Sequence, residues 1–192
     1  MDSGNIGFVL LCAAFVFVMT PGLAMFYGGL VRKKNVVNTM MTSIFIIGIG
    51  IVMWVLFGYS LSFAPSGNAF IGDFRWLGLE GVSLTEGYTD GASIPNMVFS
   101  AFQMMFAVIT PALITGAVAG RMKFKSIFVF TIFWSLIVYY PLAHMVWGQG
   151  GLLGADGIGA LDFAGGDVVH ISSGVSALVL CILLGKRHDY EH

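Results

Sequence analysis

An all-α integral membrane protein with five transmembrane helices is the fold class this sequence predicts, and three observations carry it. Only 10% of the 192 residues are charged and 57% are hydrophobic, far from the balance of a water-soluble domain. Five apolar runs are each long enough to cross a hydrocarbon core of about 30 Å. Lys and Arg gather at alternate ends of those runs, as the positive-inside rule requires of a threaded chain. Between the runs no connection is large enough for a soluble enzyme domain, so the chain reads as one membrane domain over 1–192.

The first run covers 6–31. Its leader, MDSGN, lacks basic residues and the apolar stretch is too long for a cleaved signal, so a permanent span is expected. Pro21-Gly22 and Gly28-Gly29 interrupt it, which predicts a kink used for packing against neighbouring helices. The second span is expected over 37–63. After it, 64–94 is rich in Gly, Ser, Asp and Glu and reads as a long outer loop. Leu77, Leu79, Val82 and Leu84 alternate weakly within it, leaving a short strand or hairpin open.

The third span, 95–120, carries a stripe of Phe99, Phe102, Gln103, Phe106 and Thr110 at helical spacing. Phe102 and Phe106 are one turn apart and could stack at a constriction, although a chain with 17 Phe uses most of them for packing. The fourth span, 126–147, ends on Trp147, where interfacial aromatics are expected in any case. A Trp face is also the best side-chain π partner for a small cation. One turn earlier, His144 reads as an interfacial, hydrogen-bonded histidine.

The fifth span, 161–185, opens on Asp162 in a glycine-flanked turn and places His170 within an apolar run. Asp162 is expected to cap orphan backbone N–H groups at the helix start, where negative charge is also favoured. At a rise of about 1.5 Å per residue, His170 falls roughly 12 Å deeper than Asp162, near the bilayer midplane. Ionisable groups at that depth are costly and commonly mark a pathway. The helical stripe through His170 contains Gly166, Ser173, Gly174, Ala177 and Cys181, all small, so it should face protein or a pore. Val168, Ile171, Val175, Leu178, Val179 and Ile182 form the opposite side, suited to lipid or larger partners. Stripe and depth alone leave pore lining and a packed, hydrogen-bonded imidazole equally open.

Eight of the nine basic residues fall in three clusters, Arg32, Lys33, Lys34; Arg121, Lys123, Lys125; and Lys186, Arg187, each after an odd-numbered span. This predicts a multi-pass cell-membrane protein with its amino terminus outside and its carboxyl end in the cytoplasm. The outer segments carry Asp2, Asp73, Glu80, Glu86, Asp90 and Asp156 against Arg75 alone. Cys12 and Cys181 lie towards opposite ends of their spans and are expected to be packing residues rather than a disulfide. An outer Trp, paired Phe rings, a boundary Asp and a deep His together outline a route for a small, weakly acidic cation. Bare charge cannot cross hydrocarbon, and a cation that sheds a proton need not.

The segment DFAGGDVVHISSGVSALVLCILLGKR, from Asp162 to Arg187, resembles the signature of the ammonium transporter family (Amt/Mep, related to Rh proteins). PGLAMFYGGLVRKKN, AFQMMFAVITPALI and PLAHMVWGQGGLL are similar to the same family in the same order. The resemblance implies that Trp147 and Phe102 belong to an outer recruitment site supported by Asp162, that Phe106 belongs to a phenylalanine gate, and that His170 is the first of two pore histidines. It implies ammonium recruitment, deprotonation and passage of ammonia, with methylammonium as an analogue. A homotrimer, and a PII signalling protein as partner, are further implications. No cofactor and no metal are implied, and nothing points to an enzyme.

The family has about eleven spans built as two inverted five-span halves. The chain therefore corresponds to the amino-terminal half, without the sixth-span gate residues or the second pore histidine. Gly120 stands where many members have Glu, a difference expected to concern a helix end. Two other functions have requirements of their own. An ammonium-sensing membrane domain would need a signalling domain after His192. An intramembrane hydrolase or metalloenzyme would need a nucleophile–base pair or metal spacing, which His170, Ser173 and Asp162 do not supply.

Overall fold

The computed structural model describes residues 1–65, 67–155 and 157–187; Asp156, grouped above with the outer acidic residues, lies outside the described residues. Five helices long and apolar enough to span a membrane stand where five were expected: α1 Ser3–Gly29, α2 Lys33–Phe63, α3 Asn96–Val118, α4 Phe124–Trp147 and α5 Gly166–Leu184. Among the described residues no β-strand forms. Leu77–Leu79 is a single 3₁₀ turn in place of the strand left open by the alternation. Gly78, Leu79 and Gly81 all adopt positive φ, which no pleated strand can accommodate.

Helix α3 is the hub. It packs against α1, α2 and α5, and half of its apolar stretch is buried, against only 6% in α1. Pro21 does not end α1, which is helical to Gly29. Gly28 is where α1 meets α2 most closely, since a Cβ there would lie 2.7 Å from Met40 Cγ. The ends of α2 and α4 nearest the long loop pack on each other through Tyr59–Phe63 and Tyr140–Trp147, each following a π-helical turn, Trp54–Gly58 and Ser135–Tyr139. Trp54, Tyr59, Phe63, Tyr139 and Tyr140 are all buried in this contact. Tyr59 stacks on Trp76 of the long loop at 5.4 Å and donates a hydrogen bond to Asn96.

The two ends of the bundle differ. At one end the Asp2 carboxylate caps α1 through Asn5 N–H at 2.8 Å, and the Asp2 N–H donates to Ser93 O of the long loop. The exposed Asp73–Arg75 pair lies in this loop; hydrogen bonding to Arg75 holds the Asp73 carboxyl below its ordinary range. Burial pushes the Tyr88 phenol of the same loop up to about 12. At the opposite end, the Arg121 guanidinium donates to Gly185 O at 3.1 Å, bringing two basic clusters together. Gly120 adopts φ +72° beside Arg187 and Asn35, so it terminates α3 rather than facing the bundle interior. The three basic clusters therefore converge on one end, and the acidic loop occupies the other. Cys12 and Cys181 are both free thiols, and Cys181 sits against Ala117 O.

Candidate functional site

Asp162 precedes the fifth helix rather than lying within it. Residues 162–165 turn on Gly165 at φ +77°, where a Cβ would meet Val169 Cγ2 at 2.8 Å. The Asp162 carboxylate accepts backbone N–H groups of Gly166 at 2.7 Å, Asp167 at 2.9 Å and Val168 at 3.0 Å. Three orphan donors of one helix terminus are thereby satisfied by one charge, in the orientation the helix dipole favours. The capping expectation describes this arrangement, but the start at 161 does not. The helical path from Gly166 to His170 is only about 6 Å, about half the expected depth below Asp162, because the chain folds at 162–165 instead of rising.

The first turns of α5 are π-helical, Gly166–Ile171, which takes residues out of a 3.6-residue register. Val168, placed by periodicity on the outward side, is completely buried for this reason, whereas Ile171, Val175, Leu178, Val179 and Ile182 are exposed as expected. The small stripe stays largely together. His170, Ser173, Gly174 and Ala177 line one wall of a groove of about 520 Å³, with Met19 of α1 and Phe106, Ile109 and Leu113 of α3 opposite. His170 is exposed to this groove, and its ring has no hydrogen-bond partner among the described residues. Gly166 and Cys181 are not part of the lining.

A second cavity of about 270 Å³ lies on the loop side of the groove, lined by Phe102, Gln103, Phe106, Trp147, Phe163, Ala164 and Gly165. Phe102 and Phe106 meet edge-to-face at 5.0 Å and 83°. Phe106 and Trp147 follow at 6.4 Å and 64°. Phe106 and Ala164 line both cavities, so the Phe106 ring stands between them. The Trp147 indole N–H is turned to Asp162 O at 3.4 Å, which fixes the ring and occupies its one donor. Three aromatic rings around a small space offer a cation the negative faces of their quadrupoles, and the wide groove beyond is almost wholly apolar.

The expected α3 stripe divides. Phe102, Gln103 and Phe106 face this site, while Phe99 turns into a parallel stack on Tyr88 at 4.8 Å. Thr110 is buried and donates to Phe106 O at 2.5 Å. His144, expected to be interfacial and hydrogen-bonded, is completely buried within the protein. Its Nε2 lies 2.8 Å from Asn68 O and its Nδ1 3.1 Å from Ser62 O, so it ties the end of α2 and the start of the long loop to α4. Gln149 N–H and Nε2 complete the attachment by donating to the hydroxyl and carbonyl oxygens of Tyr88. Sequence reasoning missed these partners because they lie far along the chain, and no local spacing announces them. Ala164 and Gly165 were missed as lining residues for the opposite reason, being taken as part of the span itself.

Five membrane-length helices carrying an aromatic cavity beside an apolar groove with a histidine in its wall define a polytopic membrane protein. The comparisons with known proteins are specific about which. The model of the Ammonium Transporter Family matches residues 7–192, and the chain belongs to that family. It is 54% identical over 190 residues to an ammonium transporter of Bacillus subtilis, covering 98% of this chain and 46% of that protein. The crystal structure of Candida albicans Mep2 superposes with a TM-score of 0.86 at 34% identity, over 98% of this chain and 41% of the other. A solved sensor Amt protein is also similar, with a TM-score of 0.82 at 28% identity over 96% of this chain and 45% of the other. The chain thus spans less than half the length of the relatives it matches.

Proposed function

We propose that this chain forms the first half of a transmembrane passage for ammonium and ammonia. In this reading Trp147 and Phe102 recruit the cation in the outer cavity, with Asp162 holding the recruiting loop in place. Phe106 acts as the gate between cavity and groove. The ion gives up a proton to water on the loop side of Phe106, leaving hydronium there, and the ammonia passes His170. The observation that carries the reading is the shared wall. Phe106 closes one side of an aromatic cavity and one side of the apolar groove onto which the His170 ring opens. A cation is held well by π faces and badly by an apolar groove, whereas ammonia tolerates both.

The groove is open along one side, where His170, Gly174 and the flank of α1 are exposed. A second inverted half fits that side and supplies the remaining wall. The sensing alternative shares the fold, as the sensor Amt protein illustrates, and is not favoured because the relatives of higher identity are named as transporters. A homotrimer in the cell membrane, an outside amino terminus, basic clusters in the cytoplasm and a PII partner complete the proposal.

The test is uptake of labelled methylammonium by cells lacking their own ammonium transport, with the completing half supplied. Uptake by the parent protein is expected, and Trp147→Leu should lower it at least tenfold at equal abundance in the membrane, the order expected for losing a desolvated cation–π contact. Unaltered uptake in Trp147→Leu would remove the recruitment role.

A further inference from the structure

We infer that the cavity between the long loop and the start of α3 is a second binding site, suited to a protonated amino sugar or a similar polyhydroxylated amine. It shares no lining residue with the groove or with the aromatic cavity, so it lies apart from the proposed passage. Its volume is about 490 Å³, within the range of small-molecule sites. A single small ion would leave most of that space unfilled, since one water takes about 30 Å³.

The wall is held by bonds that leave particular groups unused. Asn96 N–H donates to Glu86 O at 2.8 Å, and Gln149 gives its backbone N–H and Nε2 to Tyr88. Trp76 and Tyr88 meet edge-on at 6.4 Å, and each has one face covered, by Tyr59 and Phe99 respectively. Asn96 lines the cavity and is only 4% exposed. One end of its amide is spent on the Tyr59 hydroxyl, and its Nδ2 has no partner among the described residues. Buried amide groups are normally satisfied, so this open donor calls for an acceptor inside the cavity. Gln149 Oε1 is likewise unbonded, and the exposed Glu86 and Asp90 carboxylates make no ion pair or hydrogen bond among the described residues.

These unused groups specify the chemistry of the ligand. Two carboxylates and no basic residue line the cavity, which selects positive charge. A metal ion is poorly served, because no cluster of three or more His, Cys, Asp or Glu forms among the described residues. An amide donor beside an amide acceptor suits a molecule rich in hydroxyl groups, which both accept and donate. The Trp76 and Tyr88 rings suit a face of C–H bonds. Charge, hydroxyls and such a face occur together in a protonated amino sugar. Its ammonium group meets Glu86 and Asp90 through charge-assisted bonds, and its hydroxyls meet Asn96 and Gln149.

The experiment is a saturation-transfer NMR titration of the purified protein, with its completing half, using D-glucosamine at about pH 6, where carboxylates are charged. Saturable binding with Kd about 1 mM is expected, the order for a ligand of this size in an open site. Glucose, the same ring without the charge, should bind about fivefold more weakly. Glu86→Gln with Asp90→Asn should weaken glucosamine by a similar factor, the order for two exposed ion pairs. Asp73→Asn with Glu80→Gln removes equal charge from the same loop outside the cavity and should leave Kd within about twofold. Absence of saturation below about 100 mM overturns the inference. So does equal binding of glucose, an equal effect of the two double variants, or tighter binding of calcium ion than of glucosamine. Uptake plays no part in this test, so the proposed function stands or falls separately.

Discussion

Two histidines in membrane helices of this chain have opposite surroundings, and the contrast separates a ring built into the scaffold from one left open to a groove. His144 on α4 is completely buried with a backbone carbonyl at each ring nitrogen, 2.8 Å from Asn68 O and 3.1 Å from Ser62 O. His170 on α5 has an exposed ring, no partner among the described residues, and an apolar groove in front of it. The loop-side region around His144 is densely bonded: Asp162 satisfies three N–H groups, Gln149 holds Tyr88, and stacked rings pin the long loop. The groove beneath is walled by Phe106 and by small and apolar side chains, and His170, its one ionisable lining residue, has a ring without a hydrogen-bond partner among the described residues. Chemistry available for a solute is thus concentrated where internal hydrogen bonding is absent.

The largest test of this contrast is His144→Ala. It removes the ring that bridges Ser62 O and Asn68 O, takes the imidazole N–H from one of them and leaves a cavity in a packed contact, so stability should fall by about 3 kcal/mol. Thermal unfolding in detergent checks this, and a loss below 1 kcal/mol would mean that His144 is no clamp. Asp162→Ala comes next, with about 2 kcal/mol from three uncapped N–H groups. Asp162→Asn, which keeps an acceptor without the charge, should lose about half of that, and equal losses in both would reduce the cap to electrostatics alone. The smallest effect belongs to His170→Ala, expected within about 0.5 kcal/mol because the exposed ring holds nothing in place. A large loss there would make the two histidines alike and erase the comparison.

Much of this was legible along the chain. The five spans announce themselves by length and apolarity, the three basic clusters by their spacing, and the Phe102–Phe106 pair by a one-turn separation that the edge-to-face contact realises. Asp162 was recognisable as a cap because capping depends on a short acidic side chain next to a helix start. Local periodicity failed where backbone geometry leaves the ideal helix. The π-helical start of α5 buries Val168, and the turn at 162–165 before it halves the depth assigned to His170. Positive φ at Gly78, Leu79 and Gly81 cancels an alternation that resembled a strand. The partners of His144 and the diversion of Phe99 to Tyr88 depend on tertiary contacts with the outer loop, which no stripe on one helix encodes.

The central claim is that His170 lines a passage rather than supporting the fold. It is tested most directly by methylammonium uptake in His170→Ala, with the completing half supplied and membrane abundance matched to the parent. The account predicts that uptake falls to the level of cells without the protein while thermal unfolding is unchanged. Parental uptake in the variant, or a loss of uptake matched by a loss of folded protein, would contradict it.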